Sequence, residues 1–265
     1  MSFYDFAAES GLIISSLVYG QITRCATAGK PRGKNGAYFV DYKETWGWCM
    51  DWSVHDSPVY WVAGKLRHIA ETVIREGKQK YNDERLKLQT KAAYRAGQIL
   101  SECELLPHYY MEKKGFPEST FLVFENKLVI PMHIDGKLAG IQTIQPWGEK
   151  KFLYGQSTSL AVFRIGSGRN NVLCEGYATG LSIQKCLGAE FSVWVCFSAN
   201  NMVNVSKILN NPKFVVADND LSGTGEKAAI ASGCNYFMPP QGDFNDYWMG
   251  GKLNAQLSLR KKING

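Results

Sequence analysis

Residues 213–229 read KFVVADNDLSGTGEKAA, and the rest of the chain is understood from them outward. A mostly apolar run ends in Asp218, Asn219 and Asp220; a glycine-rich turn follows, and then a helical pattern. Two carboxylates this close repel, and each raises the other's pKa. Their position at the end of a buried strand calls for a positive charge between them, and a divalent metal supplies one.

The neighbouring segments repeat the pattern. NNVLCEG (170–176) is a short apolar run ending in Glu175, and YATGLSIQKCLG (177–188) is helical in period. FSVWVCFSA (191–199) and NYFMPP (235–240) are further apolar runs, separated by the helical segments at 201–212 and 223–233. Continuous apolar strands alternating with helices predict a parallel sheet covered on both faces. Right-handed crossovers put the carboxyl ends of such strands on one edge, where ligands bind. Glu175, Asp218 and Asp220 are therefore expected to converge, with Asp243 and Asp246 of PPQGDFNDYW (239–248) extending the cluster. An all-oxygen acidic set suits Mg²⁺ or Mn²⁺. Asp218 or Asp220 taken singly is equally a helix N-cap, but the DNDLSGTG turn delays the helix and leaves at least one of them free.

Upstream, residues 105–168 contain two strand-like runs joined at Asp135-Gly136, a strong hairpin signal, and predict a small, mainly antiparallel region introduced by PHYYMEKKGF. Residues 65–104 predict a helix. Between positions 65 and 91 it carries eight Lys or Arg against four Asp or Glu, which makes it a basic, solvated connector. Residues 1–64 form an aromatic, basic region in which GAYFVDYKETWGWCMDW reads as two strands around a turn. The loop GKPRGKNG carries Lys30, Arg32 and Lys34. It is either a solvated turn or a phosphate-contacting loop on an aromatic platform of Tyr38, Trp46, Trp48 and Trp52. Residues 251–265 are expected to be a basic tail. The fold class is α/β: a C-terminal parallel sheet flanked by helices at 169–250, a small α+β region before it, and an N-terminal α+β region.

The chain has 265 residues, is 45% hydrophobic and carries a net charge of +6, enough for a sizeable core and compatible with a polyanionic partner. No apolar run reaches the roughly 18 residues that span a bilayer, so no membrane partner is expected. Seven cysteines, several in apolar runs, fit reduced thiols in a cytoplasmic protein. Cys25 and Cys49 have no C-x-x-C partner, so no zinc is expected; His55 is the residue that would join them.

The acidic segments LCEGYATGLSI (173–183), VADNDLSGTGEKAA (216–229) and GDFNDYW (242–248) resemble the three motifs of the Toprim domain, shared by bacterial-type primases, topoisomerases and some nucleases. HYYMEKKGF (108–116), NKLVIPMHIDGKLAGIQTI (126–144) and KKFLYGQSTSLAVFRIG (150–166) resemble the primase segment that precedes it. The resemblance is to DNA primases of the bacterial type, in particular their phage and conjugative-plasmid branch, and it runs strongest over about 105–250. It implies metal-binding or acid–base work for Glu175, a metal-binding pair in Asp218 and Asp220, and a later acidic ligand in Asp243. It also implies nucleotide or template contacts for Lys113, Lys114, Lys127, Lys150 and Lys151.

The implied activity is synthesis of short RNA primers on a single-stranded DNA template from ribonucleoside triphosphates, with Mg²⁺ or Mn²⁺, in a bacterial host cell if the gene is carried by a phage or plasmid. With no Walker A motif in the sequence, a separate replicative helicase is an expected partner. A Toprim nuclease and a non-catalytic single-strand-binding protein remain alternatives.

Overall fold

The structure, a computed structural model, describes every residue but 56, 65–69, 211–212 and 265, and no side chains at 70–74 or 76–78. The chain forms two compact units, Met1–Glu84 and Arg85–Gly265.

The first unit is helix α1 (Phe3–Glu9) and an antiparallel sheet of β1 (Leu12–Ile13), β2 (Thr23–Thr27), β3 (Gly36–Val40), β4 (Trp46–Asp51) and β5 (Val59–Val62), in that spatial order. Ser2 and Asp5 start α1 with a capping box, satisfying two amides that the first turn leaves unpaired. Strand alternation sends Tyr38 and Val40 under Phe3 and Ala7, with Cys49 and Trp61. Ala37 and Phe39 face the other way and pack with Trp48 and Met50. This overturns the expected aromatic platform. Tyr38 and Trp48 are core, Trp46 is half-buried against Phe39, and only Trp52 is exposed. Tyr38 faces the opposite side of the sheet from Trp46 and Trp48, and the side those two share is itself covered, so the four aromatics form no exposed surface.

The turn between β3 and β4 hangs on one carboxylate. Asp41 accepts from the Thr45 amide (2.6 Å), the Trp46 amide (2.9 Å), the Thr45 hydroxyl (2.9 Å) and the Lys43 amide (3.2 Å).

Helix α2 (Ala70–Ser101) begins in the first unit, and its part in the second brings Ala96 and Ile99 onto Val129 and Ile141. It is the helix expected over 65–104, whose first residues, 65–69, lie outside the described ones. An antiparallel sheet follows, ordered β10-β9-β8-β7-β6. It consists of β6 (Glu104–Leu106), β7 (Phe121–Phe124), β8 (Lys127–Ile134), β9 (Lys137–Ile144) and β10 (Lys150–Phe152), with the short helix α3 (Tyr109–Lys113) between β6 and β7. Asp135 (φ 48°) and Gly136 (φ 74°) close the β8–β9 hairpin with two left-handed residues, the backbone that matches strand twist.

The second sheet is ordered β11-β13-β12-β14-β15: β11 (Phe163–Ile165), β12 (Asn170–Cys174), β13 (Phe191–Val195), β14 (Lys213–Val216) and β15 (Asn235–Phe237). Strands β12 to β15 are parallel and β11 runs antiparallel to β13. Val172, Cys174, Phe214 and Val216 point to one face, with α4 (Tyr177–Leu187), α7 (Phe244–Gly250) and α8 (Lys252–Asn264). Leu173, Val215 and Ala217 point to the other, with α5 (Ala199–Ile208) and α6 (Thr224–Ser232). Burial on both faces is why these strands read as unbroken apolar runs.

Leu128, Ile130, Met132 and Ile144 of the antiparallel sheet belong to the same core as Val172 and Val216. The expected boundary at 168/169 therefore falls inside one compact unit, and β11, upstream of it, belongs to the second sheet. The expected tail at 251–265 is α8, held by buried Ala255 and Leu259. All seven cysteines are free thiols. Among the described residues no helix is long and apolar enough to cross a membrane.

Burial raises the Asp41 carboxyl, but its four hydrogen bonds outweigh that and hold it below the usual carboxylate value. Asp41→Asn should therefore cost about 1 to 2 kcal/mol at pH 7 in denaturant unfolding, the difference between charged and neutral acceptors. A lowered carboxyl contributes stability above its ordinary pKa and loses it as pH falls through the folded value. The gap between variant and parent should thus narrow towards about pH 2; a gap that stays constant or widens in acid contradicts the assignment.

Candidate functional site

Strand order reverses at β12, which has β13 on one side and β14 on the other. The carboxyl ends open a crevice at such a switch point. Glu175 follows β12 directly, and Asp218 lies just beyond β14. Asn219, between the two aspartates, turns to the loop after β15. Its amide and carbonyl pair with Gly242 (2.8 and 2.9 Å), and its side chain donates to the Pro239 and Pro240 carbonyls (3.0 and 2.9 Å). That pairing brings Asp243 beside Asp218. Helix α6 packs so tightly that a Cβ at Gly225 would run into the Asp218 carbonyl. Glycine at this point lets the helix approach the strand end.

The carboxylates feel one another. Burial first, then the Glu175 and Asp243 charges, push Asp218 up to about 7, with Lys150 opposing and Asp220 adding to the shift. Glu175 is also raised, mainly by burial; Lys150 and the Ala199 amide at the start of α5 pull the other way. Asp220 is exposed and accepts from the Ser222 amide (3.0 Å) and hydroxyl (2.6 Å), a local turn and not a helix cap. Asp243 is committed: one oxygen caps α7 through the Asp246 amide (2.8 Å) and the other faces Lys114 (3.4 Å). It adds negative charge beside Asp218.

One feature of the set fits a cation. Asp218 Oδ1 is buried without a hydrogen-bond partner, and a buried, unpartnered carboxylate oxygen is costly unless a positive group meets it. Among the described residues, however, no three His, Cys, Asp or Glu side chains converge tightly enough to ligate one ion. The arrangement suits a hydrated ion that uses one or two carboxylates and takes further oxygens from water or phosphate, as Mg²⁺ does.

The basic residues divide. Lys150, exposed at the head of β10, lies close enough to lower both Asp218 and Glu175. Lys114 does not face outward as expected: it pairs with Asp246 (2.8 Å) and Asp243 (3.4 Å) and ties the end of α3 to α7. Buried Asn245 completes that joint, donating to the Lys114 carbonyl (2.9 Å) and the Ser182 hydroxyl (2.8 Å). Lys127 and Lys151 pair with Glu125 and Glu149, each at 2.8 Å. Lys113 lies over the Tyr109 ring at 4.4 Å.

In the first unit Lys30, Arg32 and Lys34 are exposed between β2 and β3. Arg24 joins them, bonded to the Lys34 carbonyl (2.7 and 3.1 Å) and stacked 4.0 Å over Trp52. His55 accepts from the Asp51 amide (3.2 Å), and burial pushes Cys25 to about 11 and Cys49 to about 12.

Comparison with known proteins agrees with this geometry. The Toprim domain family model matches residues 170–252, which cover β12 to the start of α8. A chain from a solved structure is also similar. That structure is described as bacteriophage T7 lagging-strand DNA polymerase interacting with primase domains of two gp4 subunits bound to an RNA/DNA hybrid and dTTP. The identity is 11% and the TM-score 0.45, over 62% of this chain and 93% of that one. The C-terminal sheet and its helices thus have a Toprim-like fold.

A carboxyl raised in the folded chain opposes folding once pH exceeds its ordinary value, and the full penalty is felt above the raised value. In chelator-treated protein, Asp218→Asn should therefore unfold at higher denaturant than the parent at pH 8, with the difference vanishing towards pH 4. A variant less stable than its parent at pH 8 would contradict the crowding of charge at this edge.

Proposed function

We propose that the chain is a primase-type nucleotidyltransferase that makes short RNA primers on single-stranded DNA from ribonucleoside triphosphates. The observation that carries this reading is the unpartnered, buried oxygen of Asp218 at the switch point, among Glu175, Asp220 and Asp243 and with Lys150 alongside. The Toprim family match supports the same chemistry.

In this reading Asp218 and Asp220 would hold Mg²⁺ or Mn²⁺, and Glu175, expected either as a ligand or as an acid–base group, takes the second role. When bound, the ion neutralises the triphosphate and stabilises the charge that develops as a 3′-hydroxyl attacks the α-phosphate and pyrophosphate leaves. Glu175, whose carboxyl burial already raises, takes up the hydroxyl proton. Lys150 holds phosphate oxygens next to the carboxylates. Lys114 keeps Asp243 and the α7 start in register with α3 and takes no part in nucleic-acid contact. In the first unit Lys30, Arg32, Lys34 and Arg24 grip template phosphates through a salt-sensitive attraction. A replicative helicase is a partner in this reading.

A second reading, a non-catalytic single-strand-binding protein, is favoured by one observation: no three candidate ligands converge among the described residues. One assay separates the readings, combining purified chain, single-stranded DNA, labelled ribonucleotides and Mg²⁺ or Mn²⁺. Short labelled products are expected. Shortened DNA would mean a nuclease, and a mobility shift alone a binder. Asp218→Asn and Asp220→Asn should each lower synthesis by about 100-fold or more with unchanged circular dichroism; near-parental synthesis by a folded variant would overturn the metal assignment.

A further inference from the structure

The turn between β9 and β10, residues 145–149, is anchored over the acidic edge at both ends. On one side Lys150 reaches the Glu175 and Asp218 charges. On the other, Gly148 (φ 100°) lies against the ring of Tyr110, which is itself close enough to feel Lys114, Asp243 and Asp246. The turn is closed by backbone bonds from Gln145 to Glu149 (2.8 Å) and from Gly148 to Gln145 (2.8 Å). At its tip stands Trp147, 71% exposed.

This tryptophan differs from the others. It stands in a turn closed by two backbone bonds, beside Glu149, which Lys151 holds at 2.8 Å. Its ring remains in water. Of the other six tryptophans only Trp52 is also exposed, and one of its faces carries Arg24. Trp48 and Trp61 are buried and Trp46 lies against Phe39. Trp52, Trp194 and Trp248 carry the cations of Arg24, Arg164 and Lys252. The nearby aromatics are also engaged: Tyr109 is capped by Lys113 and Tyr110 is half-buried. An exposed indole offers a π face on which a base can stack, worth about 1 to 3 kcal/mol per base.

We propose that Trp147 is a stacking platform for a nucleobase at the rim of the acidic edge, with Lys150, three residues on, taking the phosphate of the same nucleotide. The inference rests on the reading that this edge handles nucleotides, and it names the residue that holds the base. The base belongs either to the single strand or to a free nucleotide, and both present the same π face and phosphate.

The test uses the full chain and intrinsic fluorescence, because a base stacked on indole quenches it; the share due to Trp147 is the quench that the parent shows beyond Trp147→Phe. Parent, Trp147→Phe and Trp147→Ala are titrated with oligothymidylate and, separately, with ATP. Quenching of the parent is expected with at least one probe. Quenching by the oligonucleotide assigns the platform to the strand, and quenching by ATP alone assigns it to the free nucleotide. Trp147→Phe should bind that probe with most of the parent's affinity but without that share of the quench. Trp147→Ala should bind it about 5- to 150-fold more weakly.

Equal binding by Trp147→Ala, a quench as large in Trp147→Phe as in the parent, or no quench by either probe overturns the platform. If no primers form but the Trp147-dependent quench is present, the primase reading falls and the platform stands. If primers form and Trp147→Ala binds and synthesises like its parent, the platform alone falls.

Discussion

Everything at the functional edge follows from one electrostatic constraint: a parallel sheet brings carboxylates to a common edge, and carboxylates there repel. Asp218 bears most of that load. It is half-buried, one of its oxygens has no partner, and it feels Glu175, Asp243 and Asp220 together. Every surrounding device can be understood as managing that charge. Asn219 pins the loop that carries Asp243, Lys114 neutralises Asp243 and Asp246, and Lys150 supplies the cation nearest to Asp218 and Glu175. A site arranged in this way is unstable alone and suited to a ligand that brings positive charge, the usual tension between stability and function.

The antiparallel sheet does more than precede this edge. Its inner face shares a core with the parallel sheet, so the β9–β10 turn and the end of α3 are fixed relative to the carboxylates. Phe116 stacks on Trp248 at 5.3 Å, and Asn245 bonds back to the Lys114 carbonyl, joining α3 to α7. Groups that would meet phosphate and base, Lys150 and Trp147, thus come from one sheet, and groups that would meet a cation come from the other. The positioning is that of a rigid scaffold and not of a mobile loop.

How much of this was legible in the sequence depends on the range of the interaction that decides it. The β12 and β14 runs, the Asp135-Gly136 hairpin and the placement of Glu175 and Asp218 follow from local patterns and from the handedness of crossovers, so they could be read directly. Pairings between distant segments could not. Nothing in EKKGF says that Lys114 meets Asp243 and Asp246, because that partnership exists only once α3 lies against α7. Lys127 and Lys151 looked free in the sequence, but each has a carboxylate two residues away, and a strand or turn puts the two side chains together. The aromatic platform fails because Tyr38 faces away from Trp46 and Trp48 and because packing covers both sides of the strands, which composition does not show. In the sequence Gly225 is one glycine of a glycine-rich turn; only the packing of α6 against the strand end shows that it serves close approach. The tail at 251–265 looked polar because only Ala255 and Leu259 of α8 are buried.

The most direct measurement of the central claim is Mn²⁺ binding followed by the electron paramagnetic resonance signal of the free ion. The parent chain should remove Mn²⁺ from solution, and excess Mg²⁺ should release it. Asp218→Asn, folded by circular dichroism, should leave the free-ion signal nearly untouched. Equal uptake by parent and variant, or none by either, would contradict a divalent-cation site built on the strand ends of β12 and β14.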